Sequence, residues 1–376
     1  MRKLTALVLL PLALGTLGTL PTAHGAPRPA ANRAASPAAA ITAKAVARNL
    51  NFPAAFTFGP GGGIWYGERG TGEIHVIGPK GHSNSLFFRI PHVVADGEQG
   101  LLGLALDPEF PSAPFVYAYA TRRVQGAERD QIVRIEDDGG HGSGMHVIWS
   151  SPTEAGAYHD GGRIEFGPDG KLYAIQGEAH DAANSQDLSN EAGKILRMST
   201  AGRPAPGNPF PGKRIFAYGI RNSFGFDFDP QTGRLWETEN GPSCNDELNR
   251  IVAGRNYGWG PHQTCSTPPH APHNTNQDGP KPVLPKRWYT PVIAPTGAVF
   301  CQQCGLGKAA LGRLFFGAYN TGEIRRVTLT HNRLGVARQT VAYVHGQGIL
   351  SMEAAPDGRL YFSDSNAIYR LVLKAS

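Results

Sequence analysis

Hydrophobic and polar positions along the chain follow a unit that recurs six times. Each unit holds an apolar strand, a turn with Pro, Asp or Gly, an aromatic-rich strand, a second turn and a third strand. The third unit reads RIEFGPDGKLYAIQGE and then GKILR. The six units occupy residues 56–77, 101–135, 163–197, 224–251, 296–329 and 349–373. Strands of period two that are broken by Pro-Asp-Gly-type turns are typical of antiparallel hairpins.

These repeated hairpins predict an all-β fold, a six-bladed β-propeller of four-stranded antiparallel blades. A unit this short cannot bury its own faces, whereas units stacked radially around an axis bury each other's faces. We expect the apolar residues 41–50 to add the outer strand of the last blade and close the ring. A β-sandwich is the alternative, but it leaves the repeat unexplained. One short helix is predicted at residues 187–196, and the insertion at 258–288 is expected on the ligand-binding face.

The N-terminal residues are typical of a secretory signal. Arg2 and Lys3 give a positive start, residues 4–20 are apolar, and Ala-His-Gly at 23–25 fits a cleavage site. A membrane anchor is the alternative, but prolines and glycines interrupt the apolar stretch and no basic flank follows it. We expect a signal peptide at 1–25, a flexible leader at 26–40 and a single propeller domain at 41–376. The protein would then be secreted, with no membrane span.

Composition and charge agree with a turn-rich globular protein that does not bind nucleic acid. The 376 residues include 48 Gly and 30 Pro, as many tight turns would require. The formal net charge is +6 at pH 7, but several positive residues lie in or just after the signal and leader. No basic stripe with interleaved aromatic residues follows, so nucleic acid is not an expected partner.

Four cysteines are present, and in a secreted chain disulfides are the default. We favour Cys244–Cys265 and Cys301–Cys304, although four cysteines allow three pairings. A zinc site is the alternative. Such sites usually contain two Cys-x-x-Cys knuckles, and only Cys301 and Cys304 form one here, with histidines nearby in the sequence.

Two segments carry polar side chains that a blade does not need. HDGGR begins at His159, just before the first strand of the third unit, and a histidine there can act as a general base near neutral pH. Arg221 and Asn222 enter the next unit and offer a fixed charge and an amide to a polar ligand. The structural alternatives are a loop histidine without a role and an inter-blade salt bridge with a turn cap.

A third segment begins with Glu239 and has the oxygen-rich character of a calcium site. Gly241 and Pro242 can turn consecutive backbone carbonyls outward, and Pro242 has no N–H to occupy. Calcium prefers such oxygens together with carboxylates like those of Glu239, Asp246 and Glu247. A turn held by side-chain hydrogen bonds is the alternative.

Other reaction classes have little support in the sequence. There is no Gly-x-Ser-x-Gly of a serine hydrolase and no Gly-x-Gly-x-x-Gly that opens a helix for a nicotinamide cofactor. Sugar hydrolysis by two carboxylates stays open, because their separation cannot be read from a sequence.

Five stretches, in this order, resemble the soluble quinoprotein glucose/sorbosone dehydrogenase family. They are GEQGLLGLALDPEF (97–110), HDGGRIEFGPDGKLY (159–173), YGIRNSFGFDFDPQTGRLW (218–236), ENGPSCNDELNRI (239–251) and NYGWG (256–260). The resemblance covers most of the chain that follows the leader, and the motifs are specific only together. It implies a six-bladed propeller that uses pyrroloquinoline quinone (PQQ) and calcium.

The resemblance also implies a role for individual residues. His159 is expected to be the catalytic base, and Asp246 the catalytic-site aspartate. Arg221 and Asn222 would contact the quinone, and the carbonyls of Gly241 and Pro242 would bind the cofactor calcium. A second, structural calcium site would involve Glu247 and Tyr257.

The chain departs from the family pattern at several positions. The family holds the PQQ carboxylates with a lysine and two arginines, whereas the corresponding positions here are Asn320 and, approximately, Gly348 and Leu350. Tyr158 precedes the expected base where the best-known glucose dehydrogenases have an acid, and Phe224 replaces a glutamine.

The first functional hypothesis is therefore a secreted oxidoreductase that oxidises a sugar or polyol hydroxyl, with PQQ, calcium and an external electron acceptor. The second is a non-catalytic extracellular propeller that binds carbohydrate or protein through the same face. The third is a hydrolase. The missing cationic residues favour the second hypothesis over the first.

Overall fold

The structure, a computed structural model, describes residues 40–79, 81 and 83–374. The predicted signal peptide, and the predicted leader except for Ala40, lie outside the described residues. Within the described residues the chain forms 24 strands and two short 3-10 helices. None of the helices in this part of the chain has the length and apolar character needed to cross a membrane.

The strands form six four-stranded antiparallel sheets, which confirms the predicted fold class. Blade 1 contains β2 Pro53–Phe58, β3 Ile64–Glu68, β4 Glu73–Ile77 and β5 Asn84–Arg89. Blade 2 contains β6 Leu101–Leu106, β7 Phe115–Val124, β8 Ala127–Asp138 and β9 His141–Ser150. Blade 3 contains β10 Ile164–Phe166, β11 Leu172–Gln176, β12 Lys194–Met198 and β13 Ile215–Tyr218. Blade 4 contains β14 Gly225–Phe228, β15 Leu235–Glu239, β16 Asp246–Arg250 and β17 Arg287–Tyr289. Blade 5 contains β18 Pro295–Phe300, β19 Leu314–Ala318, β20 Glu323–Leu329 and β21 Val336–Val344. Blade 6 contains β22 Ser351–Ala354, β23 Leu360–Ser363, β24 Ala367–Leu373 and β1 Ile41–Arg48.

Blade 6 is completed by the first strand of the described chain. Strand β1 pairs antiparallel with β24, from Ile41 opposite Leu373 to Arg48 opposite Ala367. The sheet order β1-β24-β23-β22 therefore joins the beginning and the end of the propeller in one blade. This is the ring closure that the apolar residues 41–50 predicted.

The hydrophobic core is divided into six clusters, one between each pair of neighbouring blades. Trp65 of blade 1 packs with Leu101 and Val116 of blade 2, for example, and Trp236 of blade 4 packs with Phe316 of blade 5. The other four clusters join blades 2 and 3, 3 and 4, 5 and 6, and 6 and 1. Each blade is thus buried on both faces by its neighbours.

The predicted helix at residues 187–196 is wrong. Its C-terminal part belongs to β12, where Ile195 and Leu196 pair with β11. Ile195 packs in the cluster toward blade 4, and Leu196 packs in the cluster toward blade 2. A strand that is buried on both faces has consecutive apolar residues, and that pattern cannot be told from a buried helix by periodicity alone.

All four cysteines form disulfides in the pairing that the sequence analysis favours, so the zinc alternative has no free thiolate. Cys244 and Cys265 join the loop before β16 to the 258–288 insertion. Cys301 and Cys304 close a short loop after β18, within the cluster between blades 5 and 6.

Ring closure by β1 is directly testable. Deletion of residues 41–48 should lower the melting temperature by several degrees, because it exposes the ladder groups of β24 and the apolar residues that Ile41 and Ala43 cover. Deletion of residues 26–39, which are all but the last residue of the predicted leader 26–40, is the matched control and should leave the melting temperature unchanged. Melting is measured by circular dichroism. Equal melting temperatures of wild type and the 41–48 deletion would contradict the role of β1 in ring closure.

Candidate functional site

A cavity of about 580 Å³ opens at the face where the innermost strands of the blades begin. We call it the main cavity. Residues at the entrance to the first strand of every blade line it, including Ala54, Leu102, Gly161, Asn222, Thr296 and Leu350. Its volume lies in the range of small-molecule sites. Six of the predicted site residues are in its wall: His159, Arg221, Asn222, Gly241, Pro242 and Asp246.

His159 is paired with a buried carboxylate. Its Nδ1 lies 2.7 Å from Oε1 of Glu178, and both side chains are almost fully buried. A carboxylate accepts a hydrogen bond from Nδ1–H, so this contact favours the tautomer in which Nε2 carries a lone pair. The pair therefore has the geometry of a general base with an orienting carboxylate.

The backbone around His159 is held in an uncommon conformation. The φ angle of His159 is 67°, in the left-handed region that non-glycine residues rarely adopt. Its N–H donates to Oε2 of Glu98 at 2.9 Å, which ties the loop to the entrance of blade 2. A Cβ on Gly177 would collide with the carbonyl of His159, so only glycine fits there. Such conformations persist only where the surroundings enforce them, and they cluster at functional sites.

Arg221 and Asn222 lie beside this loop and have different surroundings. Asn222 is fully engaged in joining loops: Oδ1 accepts from the N–H of Gly161, and Nδ2 donates to Glu98. Arg221 donates through Nη1 to the carbonyl of Asn240, and its guanidinium lies over the ring of Trp259. Its buried Nε has no hydrogen-bond partner within the described residues. Arg221 is thus a fixed positive charge that faces the main cavity.

Gly241 and Pro242 have the predicted free carbonyls. Neither oxygen accepts a hydrogen bond from the described residues, and both residues line the main cavity. A Cβ on Gly241 would collide with the carbonyl of Cys244, which lies in the same tight turn. Two adjacent carbonyl oxygens without partners are suitable ligands for a hard cation.

Asp246 lies in the cavity wall with both carboxylate oxygens occupied. Oδ1 accepts from the N–H of Gly241 at 2.8 Å, and Oδ2 accepts from Ile293 and Ala294 at 2.5 and 2.7 Å. Burial raises the pKa of Asp246, and the three backbone N–H groups oppose that rise. These contacts make Asp246 a residue that positions the Gly241 turn against blade 5.

Glu247 and Tyr257 lie outside the main cavity, in a separate buried region. Asn276 donates through Nδ2 to the carboxylate of Glu247 and to the carbonyl of Tyr257, so the two residues lie on either side of one amide. Glu237 and Glu239 are close by, because Asn249 donates to all three carboxylates. None of these three carboxylates has a salt bridge within the described part of the chain. The region is therefore rich in buried carboxylates, and burial raises the pKa of each of them.

The sequence analysis missed three charged residues of the site. Glu178 orients His159, Glu98 joins His159 to Asn222, and Arg69 contributes a cation from blade 1. Glu98 and Glu178 lie inside or just beyond motif stretches, but their partners are distant in sequence. The 258–288 insertion, expected over the ligand face, contributes no lining residue to the main cavity; its Trp259 lies behind Arg221.

Positive charge in the main cavity comes from three arginines, Arg69, Arg163 and Arg221. Arg163 is neutralised by Glu353, at 2.5 Å, and by Glu165. Asn320 and Leu350, two of the positions where the chain departs from the family pattern, do line the cavity and bring no charge to that wall.

Asp160, in the His159 loop, and Asp130, on β8, are buried carboxylates with carboxylate oxygens that have no hydrogen-bond partner among the described residues. Asp160 is fully buried, and neither of its oxygens has a hydrogen-bond partner among the described residues. Asp130 on β8 accepts from Thr121 at 2.8 Å through one oxygen only. Burial raises the pKa of Asp130 to about 7. Burial also raises the pKa of Asp160, and the neighbouring carboxylates of Asp130 and Glu98 raise it further.

The described residues thus form a six-bladed propeller whose central cavity is lined by a histidine paired with a carboxylate, an arginine and two residues whose carbonyls accept no hydrogen bond. The sequence model of the family described as "Glucose / Sorbosone dehydrogenase" matches residues 50–372. The chain belongs to this glucose/sorbosone dehydrogenase family, which confirms the resemblance.

Individual relatives are similar over different shares of their length. Quinoprotein glucose dehydrogenase B of Acinetobacter calcoaceticus is 32% identical over 57% of this chain and 52% of its own length, so the chain spans about half of that relative. The aldose sugar dehydrogenase of Escherichia coli is 31% identical over 59% of this chain and 62% of its own length. The PQQ-bound aldose sugar dehydrogenase of Streptomyces coelicolor superposes with a TM-score of 0.74 at 29% identity, covering 90% of this chain and all of that one.

The raised pKa of Asp130 predicts a pH dependence of stability. A group whose folded pKa lies above its unfolded value stabilises the fold below the unfolded pKa, and that contribution is lost as pH rises through the folded pKa. Asp130→Asn removes this titration and keeps the size. The difference in melting temperature, Asp130→Asn minus wild type, should therefore be a few degrees larger at pH 8 than at pH 5.

Asp138→Asn, which changes an exposed carboxylate on the same strand, is the control and should show no such change. A melting difference between Asp130→Asn and wild type that is the same at both pH values would show that Asp130 does not titrate in this range.

Proposed function

We propose that the chain is a secreted, PQQ-dependent oxidoreductase that oxidises a hydroxyl of a sugar or polyol, with calcium as a second cofactor and an external electron acceptor. The observation that carries the proposal is the buried His159–Glu178 pair in the wall of a ligand-sized cavity. Membership of the glucose/sorbosone dehydrogenase family supports it. The sugar dehydrogenases among the relatives support the substrate class.

The cavity residues fit the cofactor and its calcium in two respects. Arg221 lines the cavity and forms no salt bridge within the described residues, so its charge is open to an anionic ligand. The open carbonyls of Gly241 and Pro242 supply neutral oxygens to calcium. When bound, PQQ supplies a two-electron acceptor for the hydride that leaves the substrate carbon.

The part of the protein in this reaction is to remove a proton and to stabilise charge. Nε2 of His159 would take the hydroxyl proton of the substrate, while Glu178 stabilises the imidazolium that results. Arg221 would stabilise negative charge that develops within the cavity, where low water content strengthens the interaction. Asn222 and Asp246 would act by holding the His159 loop and the Gly241 turn in place.

A structural calcium site at Glu247 and Tyr257 is the second part of the calcium proposal. Burial raises the pKa of Glu247 to about 7, and its neighbours Glu237 and Glu239 are also buried carboxylates that form no salt bridge within the described residues. A divalent cation would relieve this charge, and the carbonyl of Tyr257 lies beside Glu247 as a further oxygen ligand. The proposed export signal, residues 1–25, would deliver the protein to a calcium-containing, oxidising environment.

The role of His159 is tested with His159→Gln, which keeps size and hydrogen bonding but does not accept a proton at neutral pH. We expect kcat for quinone-dependent dye reduction with aldoses to fall about 10²- to 10⁴-fold, with an unchanged melting temperature. Glu178→Gln should lower kcat less, with little change in KM, because it disturbs the orientation and charge of the base only. His146→Gln, an exposed histidine on β9, is the control.

Two results would contradict the proposal. Full activity of His159→Gln would remove His159 as the base. A wild-type protein that reduces no dye with any sugar or polyol would leave the alternative function, a non-catalytic propeller that binds carbohydrate or protein through the same face.

A further inference from the structure

Arg69 is held rigidly at the edge of the main cavity. It follows β3, and its guanidinium lies 4.6 Å from the centre of the Phe52 ring. Its Nη1 donates to the carbonyls of Gly97 and Gln99 at 2.6 and 3.1 Å. A Cβ on Gly100 would collide with the Arg69 side chain, so the neighbouring loop leaves room for it. The side chain is therefore pre-organised, and little conformational entropy remains to be lost when a ligand binds.

The charge of Arg69 is not balanced by an acidic partner in the described part of the chain. No carboxylate within the described residues forms a salt bridge with it, in contrast to Arg163, which contacts Glu353 and Glu165. Its Nε is buried without a partner, and Nη2 donates to no acceptor in this part of the chain. The two carbonyls and the Phe52 ring replace part of the hydration that the partly buried guanidinium loses, but without an acidic partner some compensation is missing. An anionic ligand in the adjacent cavity would supply that compensation.

We propose that Arg69 binds a carboxylate group of the ligand in the main cavity. Nη1 is already occupied by carbonyls and Nε is buried, so Nη2–H is the charged donor that remains for a carboxylate. The wall that contains Asn320 and Leu350 has no charge to offer such a group. Two sources share this chemistry, a carboxylate of the quinone cofactor and the carboxylate of a sugar-acid substrate.

This inference rests on the proposed function for the identity of the ligands, and its test separates the two. Calorimetric titration of the full chain with PQQ, its neutral trimethyl ester, glucuronate and glucose gives a Kd for each, without reference to turnover. The variants are Arg69→Gln, Arg69→Lys and, as control, Arg325→Gln. Arg325 is paired with Glu323 and does not line the cavity.

If the cofactor supplies the carboxylate, Arg69→Gln should weaken PQQ binding about 10- to 100-fold and leave the ester unchanged, since a charge-assisted hydrogen bond is lost. If the substrate supplies the carboxylate, Arg69→Gln should weaken glucuronate binding by a similar factor and leave the Kd values of glucose and PQQ unchanged. Arg69→Lys should lose less affinity for that ligand than Arg69→Gln, because lysine keeps the charge but not the planar guanidinium. If thermal melting shows that Arg69→Gln is unfolded, the affinities of Arg69→Lys decide whether Arg69 binds the carboxylate. Arg325→Gln should bind as wild type does.

Three outcomes would overturn the proposal. Arg69→Gln could bind all four ligands like wild type, it could lose the neutral and charged ligands equally, or the wild-type protein could bind neither PQQ nor glucuronate. A wild-type protein that binds glucuronate through Arg69 but no quinone would refute the proposed function alone.

Discussion

Each blade is a thin antiparallel sheet with apolar side chains on both faces, and no blade can remove them from water alone. The six clusters between blades solve this problem only if the ring is complete, because an open ring leaves two faces exposed. Strand β1 provides the closure by pairing with β24. The same arrangement gathers the entrance of every blade's first strand around one axis, and this is why a single cavity receives side chains from all six blades.

The site depends on hydrogen bonds that cross from blade to blade. Glu98, before blade 2, accepts from the His159 backbone and from Asn222, and Asn222 in turn accepts from Gly161. Asp246 joins the Gly241 turn of blade 4 to the start of blade 5. These bonds fix the positions of His159 and of the Gly241 turn before any ligand arrives. Pre-organised groups of this kind contribute most to binding and catalysis, because they need no rearrangement.

The repeat in the sequence was enough to predict the blades, their number and the closing strand, because side-chain alternation is local information. It failed at residues 187–196, where burial of both Ile195 and Leu196 removes the alternation. Motifs located six residues of the cavity wall. Glu178 and Arg69 could not be found in this way, because each acts through a partner or cavity that only the folded ring brings near.

The central claim is that the main cavity binds a quinone, with calcium, and that a sugar then reduces it. Absorbance titration of the apo protein with PQQ in the presence of calcium, followed by addition of glucose or another aldose, tests this claim directly. The account predicts saturable binding at one quinone per chain, loss of the oxidised-quinone spectrum when sugar is added, and no such loss in chelator. Absence of saturable binding, or a quinone spectrum that no sugar changes, would contradict it.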